Sequence, residues 1–571
     1  MSVVIKYGDI AVGAKDKFVP SSQNEIFFSK IEQIQKNVSF PNYQNACDYL
    51  SVPLDGSAIP IPDDYVTSNI GYWSELKSDE NGVFQTPIIL SFKADEYFTS
   101  PGISFTFDTN NEIYATELEI VWKRDVQELE KQTFYPTSSS FFCSKKVDFY
   151  DEIVTTFYSV NMPFYPLKIK TIEYGCGTEF KGVELRQVKI TQAMSPISSE
   201  LPINSGDIRI NSKRGIEFSF QERQPLDIYS DGQLLLKTFV EKYRRISKNE
   251  WSINGEDYIG LMDSIPFYGG IYNEKNAADL IREIFDVAKV PYELSEDFLS
   301  EVVTGYIPYT TCREALMQVL FAISAVANTT ESEKVKISTL SKEIRQEIPP
   351  KRIFQGQTSG VKSRVTRVEI ISHSYRPIQE EVEAYNAEKN PIGDDVFVVF
   401  SEPLHSLSII NGTIKESGAN YAILSATIGC VLTGKKYDHT MVTNAVKNPL
   451  VLATDPENVV AIEKATLVSS SNIDKVLDLC YTYIVNKSDL QLKIVDGKHV
   501  QEGEDVLYGE FVYGDFLYGA QTPTVVTYDL PNRLGDLIVV PLEMGGKKTA
   551  RITKQSFSLI GNVKVKDTVL E

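Results

Sequence analysis

Apolar and polar residues alternate along much of this chain, most clearly between Asp207 and Tyr272. Ile208 and Ile210, then Ile216, Phe218 and Phe220, recur with a period of two. That period buries one face of a strand and leaves the other in water. Ser230-Asp231-Gly232-Gln233 separates two apolar runs, and Asp-Gly in this setting predicts a tight hairpin. A third strand carries Trp251 and Ile253. Gly255-Glu256-Asp257-Tyr258-Ile259-Gly260-Leu261-Met262-Asp263 then leads into Phe267-Tyr268-Gly269-Gly270-Ile271-Tyr272. These features predict a small antiparallel barrel or sandwich whose rim is an aromatic, glycine-rich loop.

Beyond Tyr272 the period changes. Ala277, Leu280, Ile281, Ile284, Phe285 and Ala288 follow the spacing of one helix face, and Pro291 closes that helix. Thr311-Cys312-Arg313-Glu314 is a capping box, followed by a stripe of Leu316, Val319, Leu320 and Ile323. A strand is predicted at 334–338, and Pro349-Pro350 marks a boundary. Strands return at 364–371, 395–400, 421–424, 427–433 and 460–467, with a third helix over 473–486. The last strands, 537–542, 550–553 and 556–559, enclose the turn Met544-Gly545-Gly546-Lys547.

Before the barrel, residues 1–45 are polar and read as an extended arm. Residues 46–170 read as an inserted β-sandwich of jelly-roll type, with strands at 88–92, 103–107, 117–121, 141–147 and 154–157. Turn signals fall between them at Asp79-Glu80-Asn81-Gly82, Pro101-Gly102 and Asp108-Thr109-Asn110-Asn111. Residues 171–272 form the first barrel, 273–348 a helical subdomain, 349–520 a mixed α/β domain, and 521–571 the closing strands of a second barrel. The expected class is α+β, predominantly β, and multidomain, with two similar antiparallel β-barrels. Trp251-Ser252-Ile253-Asn254-Gly255 and Phe557-Ser558-Leu559-Ile560-Gly561 share one pattern: aromatic, serine, aliphatic, any residue, glycine. The echo predicts that the opening and closing segments superpose.

The order of these elements resembles the baseplate hub, or tail-tip protein, of phage tails and tail-like particles. It runs from the Asp-Gly hairpin through Trp251-Ser252-Ile253-Asn254-Gly255-Glu256-Asp257-Tyr258-Ile259-Gly260 and Phe267-Tyr268-Gly269-Gly270 to an amphipathic helix. The resemblance extends over most of residues 170–571. It implies a homotrimer that joins a six-fold tail tube to a three-fold central spike, with tape-measure and other baseplate proteins as further neighbours. It implies residence at the tail tip of a virion or bacteriocin-like particle after synthesis in a bacterial cytoplasm, with wall digestion left to a separate protein. The insertion at 46–170 departs from a minimal hub. The competing reading is an adhesin that binds a receptor or carbohydrate through that sandwich.

Composition narrows the classes. With 42% hydrophobic and 23% charged residues, the chain is globular rather than disordered. A net charge of −20 argues against a surface that grips nucleic acid, which needs a basic footprint. No apolar run reaches the length of a membrane span, and no signal segment opens the chain. Cys47, Cys143, Cys176, Cys312, Cys430 and Cys480 form no CxxC pair, so zinc-ribbon spacing and a disulfide framework are both absent. The sequons at Asn37, Asn328 and Asn411 then read as chance.

Catalytic signatures are missing. His373, His405, His439 and His499 form no HExxH motif, and neither GxSxG nor a phosphate-binding loop is present. No metal, no cofactor and no enzyme activity are expected. Asp108, Asn110 and Glu112 read as a turn in preference to a calcium loop. Glu256, Asp257 and Asp263 read as rim charges or helix caps. Lys242, Arg244 and Arg245 read as a solvated strand edge. The candidate interface is aromatic: Tyr268 and Tyr272 on the glycine-rich loop, and Tyr508, Tyr513 and Tyr518 in a five-residue repeat.

Overall fold

The computed structural model describes residues 3–11, 13–26, 29–35, 71–212, 223–348, 358–360, 365–447, 457–462, 467–468, 473–480, 482, 489–495, 498–501, 504–506, 525–527, 533–542, 545–560 and 563–570. Two compact units emerge. One comprises residues 6–179 with 214–225; the other comprises 1–5, 180–213 and 226–571. Both are predominantly β.

The first unit is built on one main sheet with strand order Val19–Ser22, Val83–Thr106, Ser140–Val160, Ala115–Arg124, Gln127–Phe134. The two long strands absorb the predicted short ones: 88–92 and 103–106 share one strand, and 141–147 and 154–157 share another. Pro101-Gly102 makes no chain reversal. Register shifts between Lys93 and Gly102 bend the strand instead, and bulges of this kind turn a sheet over onto itself. Gly102 sits at φ 151°, where a Cβ would lie 2.2 Å from the Cys143 carbonyl oxygen. Only glycine allows the strands so close.

The core of this unit is aromatic. Trp122, Tyr150, Phe92, Phe105, Phe107 and Phe157 are fully buried, and Phe105 meets Phe157 edge-on at 5.5 Å. Rings of this size contribute both buried area and directional packing. Residues of the predicted arm share this core: Ala11, Ala14, Phe18, Ile31 and Ile34 belong to the same cluster. Phe18 stacks on Tyr174 at 4.7 Å.

In the second unit, the main sheet runs in neighbour order Pro225–Ser230, Gln233–Arg245, Glu250–Glu256, Ser205–Asn211, Leu185–Ala193, Lys547–Ile560, Val563–Leu570, Asp489–Val495, Thr358–Gly360. The predicted hairpin is present. Asp231 at φ 50° and Gly232 at φ 82° are both left-handed, as a type I′ turn requires. Ile208, Ile210 and Ile253 are buried on the core face; Ile216, Phe218 and Phe220 lie outside the described residues. The stretches expected to form two barrels supply neighbouring strands of this one sheet. Leu185–Ala193 pairs with Ser205–Asn211 on one side and with Lys547–Ile560 on the other. Among the described residues no ring of strands closes on itself. The strands that hold Trp251 and Phe557 are separated by two others.

The helices match the sequence pattern. Ala277–Ala288 buries Leu280, Ile281, Ile284 and Phe285. The Asn276 side chain caps its start by accepting from the Asp279 N–H at 3.1 Å. Cys312–Ile323 buries Leu316, Val319, Leu320 and Ile323, and the Thr311 hydroxyl accepts from the Glu314 N–H at 3.2 Å. Each cap satisfies a donor the helix cannot. A further sheet is centred on the 27-residue strand Tyr421–Lys447, flanked by Arg367–Asn386, Gly393–Val399 and Leu404–Ser417. The predicted third helix is present as Ile473–Cys480; residues 483–488 lie outside the described set.

Candidate interface of stacked aromatic residues

The glycine-rich loop fixes the position of Tyr268. Gly269 has φ 63°, and a Cβ there would lie 2.2 Å from the Ile307 carbonyl oxygen and 2.5 Å from that of Pro308. Without a side chain, the loop presses directly on this second segment. Asn420 closes the arrangement. Buried at 1% exposure, it donates its Nδ2 to the Tyr268 carbonyl at 2.8 Å and to the Ile307 carbonyl at 2.9 Å.

Four rings gather around this clamp. Tyr268 stacks on Tyr421 at 4.2 Å and on Tyr309 at 6.1 Å, and it meets Phe397 at 5.7 Å. Tyr421 anchors the group: its hydroxyl donates to Glu416, and burial first, with that carboxylate second, raises its pKa above the usual phenol range. Tyr268, Tyr309 and Phe397 remain 39%, 37% and 41% exposed. The result is a rigid, half-open aromatic surface, the composition favoured at the centre of protein interfaces.

Tyr268 is one of the expected interface residues; Tyr309, Phe397 and Tyr421, which the structure groups with it, are not among them. One signal was present. Val396-Phe397-Val398-Val399 is apolar on both faces of its strand, and Phe397 and Val399 stay exposed. Tyr272 does not join the cluster; it packs against the helical core, where burial raises its pKa. Tyr508, Tyr513 and Tyr518 lie outside the described residues.

The carboxylates do not converge. Asp257 is the N-cap of Tyr258–Asp263, and its Oδ1 accepts from the Ile259 and Gly260 N–H groups at 3.1 and 3.3 Å. Its Oδ2 accepts from the Thr329 hydroxyl. Asn204 extends the chain, donating its Nδ2 to Thr329 Oγ1 at 2.8 Å and accepting from the Ala193 N–H at 2.8 Å. Burial pushes the Asp257 carboxyl up to about 6 against these donors. With no exposed surface, it cannot touch a substrate. Asp263 pairs with Arg313 at 3.2 Å. Glu256 has a raised pKa through burial and the nearby Glu241. Among the basic trio, Lys242 pairs with Glu241, and Arg245 donates to the Lys248 carbonyl while lying over Trp251.

In the first unit, Asp108 accepts from the N–H groups of Asn110 and Asn111 at 3.1 and 3.2 Å, and from Asn111 Nδ2 at 2.9 Å. The cation beside it is Lys168, whose Nζ lies 3.3 Å from Asp108 Oδ2 and 4.1 Å from the centre of the Trp73 ring. This is a turn with an internal counter-ion. Burial lowers the Lys168 pKa, while Asp108 opposes the shift. Breaking one side of a buried pair leaves an uncompensated charge. Lys168→Met should therefore destabilise the chain by about 3 kcal/mol in urea unfolding. Adding Asp108→Asn should recover part of that loss.

Among the described residues, no three His, Cys, Asp or Glu side chains could hold a metal ion together, and no helix is long and apolar enough to cross a membrane. Two histidines do meet. His373 Nδ1 and His439 Nε2 lie 2.8 Å apart with ring centres at 5.0 Å. The nitrogens therefore face each other almost directly, as in a hydrogen bond between imidazoles. Burial, then repulsion from His439, lowers the His373 pKa. His439→Gln should raise it, read by NMR titration of the His373 ring. His405 is held by Ser406 and by the Ile378 and Lys436 carbonyls.

No family model matches the chain, and none of the curated proteins does. Solved structures do match. The tail protein from Neisseria meningitidis MC58 is similar over 69% of this chain and 94% of its own, at 11% identity and a TM-score of 0.40. The 43 kDa tail protein of prophage MuSo2 from Shewanella oneidensis covers 69% and 95%, at 10% identity and 0.40. The prophage tail protein gp18 from Listeria monocytogenes EGD-e covers 68% and 91%, at 9% identity and 0.36.

Proposed function

We propose that this chain is a structural component of a phage tail or tail-like particle, and more finely a baseplate hub. In this reading three copies form a closed ring at the tail tip, facing the tail tube on one side and a central spike on the other. The observation that carries it is the half-open cluster of Tyr268, Tyr309 and Phe397. Three separate segments build it, and the buried Asn420 amide holds two of them together. Rings that are rigid before binding lose little freedom when a partner covers them. The order of motifs from the Asp-Gly hairpin to the amphipathic helix supports the same reading.

The proposed role needs no catalysis. Asp257 is sealed from solvent, and Asp263 is engaged by Arg313. The test is imaging of particles assembled with this chain. Three copies at the tip are expected; one or six copies, or a place along the tube, would overturn the hub reading. Tyr309→Ser with Phe397→Ser should lower particle assembly at least about tenfold, as loss of a hot spot does. Turnover of peptidoglycan or surface polysaccharide by the purified chain, lost in Glu256→Gln or Asp263→Asn, would overturn the non-catalytic reading.

A further inference from the structure

The first unit contains a cleft of about 620 Å³ beside the Asp79–Val83 turn, with Phe164 on its wall. Two turns that line or adjoin this cleft are fixed by hydrogen bonds. Asp79 Oδ1 accepts from the Asn81 and Val83 N–H groups at 2.8 and 2.9 Å. Next to Asp79 in the chain, Ser78 locks the 162–165 turn: its N–H donates to the Tyr165 carbonyl at 3.0 Å, its hydroxyl donates to the Met162 carbonyl at 2.9 Å, and its Oγ accepts from the Tyr165 N–H at 3.1 Å. The Phe164 N–H donates to the Asp79 carbonyl at 3.3 Å.

Phe164 itself is strained. Its φ is 60°, a left-handed conformation that a bulky side chain avoids. Packing does not repay this strain, because the residue is 58% exposed. The surrounding hydrogen bonds hold it there. Strain kept without a packing gain points to use of the ring.

The rest of the lining is mostly polar: Leu76 and Lys77 precede Ser78 and Asp79, and Glu80, Gln85 and Thr86 complete it. Among the described residues the side chains of Glu80, Gln85 and Thr86 form no hydrogen bond or ion pair. One aromatic side chain in the same cleft as a carboxylate, an amide and a hydroxyl matches a sugar ring. The ring packs on an apolar C–H face, and planar polar groups pair with neighbouring hydroxyls. A protein hot spot would instead be a desolvated apolar cluster. We propose that this cleft binds a saccharide unit of a neutral surface polysaccharide, with Phe164 as the stacking platform and Glu80, Gln85 and Thr86 as hydrogen-bonding partners. The proposal stands apart from the tail-tip reading.

The test uses the full chain in affinity electrophoresis against dextran, galactan, mannan and soluble oligomers of N-acetylglucosamine. At least one probe should retard the protein. Phe164→Ala should weaken that retardation at least about tenfold, as expected for a buried stacking contact, and Phe164→Tyr should preserve it. Gln85→Ala should weaken it less. Phe164→Asn should abolish binding yet raise the unfolding temperature, because asparagine tolerates the left-handed backbone. That pairing separates lost binding from lost folding. Overturning results are no retardation by any probe, equal retardation of wild type and Phe164→Ala, or a lower unfolding temperature for Phe164→Asn. Phe164-dependent capture of a protein in place of a polysaccharide would also overturn the proposal.

Discussion

Asp257→Ala should destabilise the second unit by about 3 kcal/mol. About 1 kcal/mol comes from the lost N-cap, and the remainder from polar groups left unmatched in the interior. Thr329 and Asn204, both buried, would lose the end point of their hydrogen-bond chain. Asp257→Asn keeps an acceptor for the Ile259 and Gly260 N–H groups and should cost about 1 kcal/mol. The two variants also differ from wild type in pH dependence. Burial raises the folded-state pKa from the ordinary 3.8 to about 6. Between these values the folded chain binds more proton than the unfolded chain, so stability falls as pH rises. The contribution is fully present below about pH 4 and is lost as pH passes through about 6. A shift of this size corresponds to about 3 kcal/mol. Urea unfolding at a series of pH values should show that slope in wild type and a flatter one in Asp257→Asn. A wild-type curve rising from pH 4 to pH 7 with the same slope in both proteins would mean that Asp257 does not carry this term.

Gly269→Ala should be equally damaging, at about 3 kcal/mol, for a different reason. The added methyl would meet the carbonyl oxygens of Ile307 and Pro308 at 2.2 and 2.5 Å. Backbone oxygens cannot rotate away, so the loop must lift. Lifting it breaks the two Asn420 hydrogen bonds and unstacks Tyr268 from Tyr421. Urea unfolding gives the stability, and near-ultraviolet circular dichroism reports the tyrosine environment. Tyr268→Phe should keep the wild-type stability within about 0.5 kcal/mol, since the ring stays in place. A Gly269→Ala protein as stable as wild type would show that the loop does not sit against Ile307.

Local features carried well from sequence to structure. The Asp231-Gly232 turn, the apolar stripe of the helix Ala277–Ala288 and the Thr311 cap each depend on nearby residues, and each was legible; the Asn276 cap was not singled out. Asp257, expected to be either a rim charge or a helix cap, is a cap, and that signal was equally local. Long-range partnerships were not legible. Tyr268 and Asn420 are 152 positions apart, and no spacing rule links a glycine loop to a strand so distant. Pro101-Gly102 was misleading for a related reason. The same residues that end a strand can bend one, and cross-strand pairing decides which occurs. Trp251 and Phe557 lie on strands of one sheet because Leu185–Ala193 accepts a partner on each side, which periodicity alone does not reveal.

That last pairing sets a timetable for synthesis. Ile190 lies opposite Phe557 in the finished sheet. While the chain is still being translated, one edge of Leu185–Ala193 therefore waits for a strand made hundreds of residues later. An open edge of this kind is a template for any extended segment nearby. Contacts so far apart in sequence also form slowly. A nascent chain paused between the two strands would be most vulnerable to pairing with another copy of itself, and a chaperone that shields the 185–193 edge would act when protection is most needed.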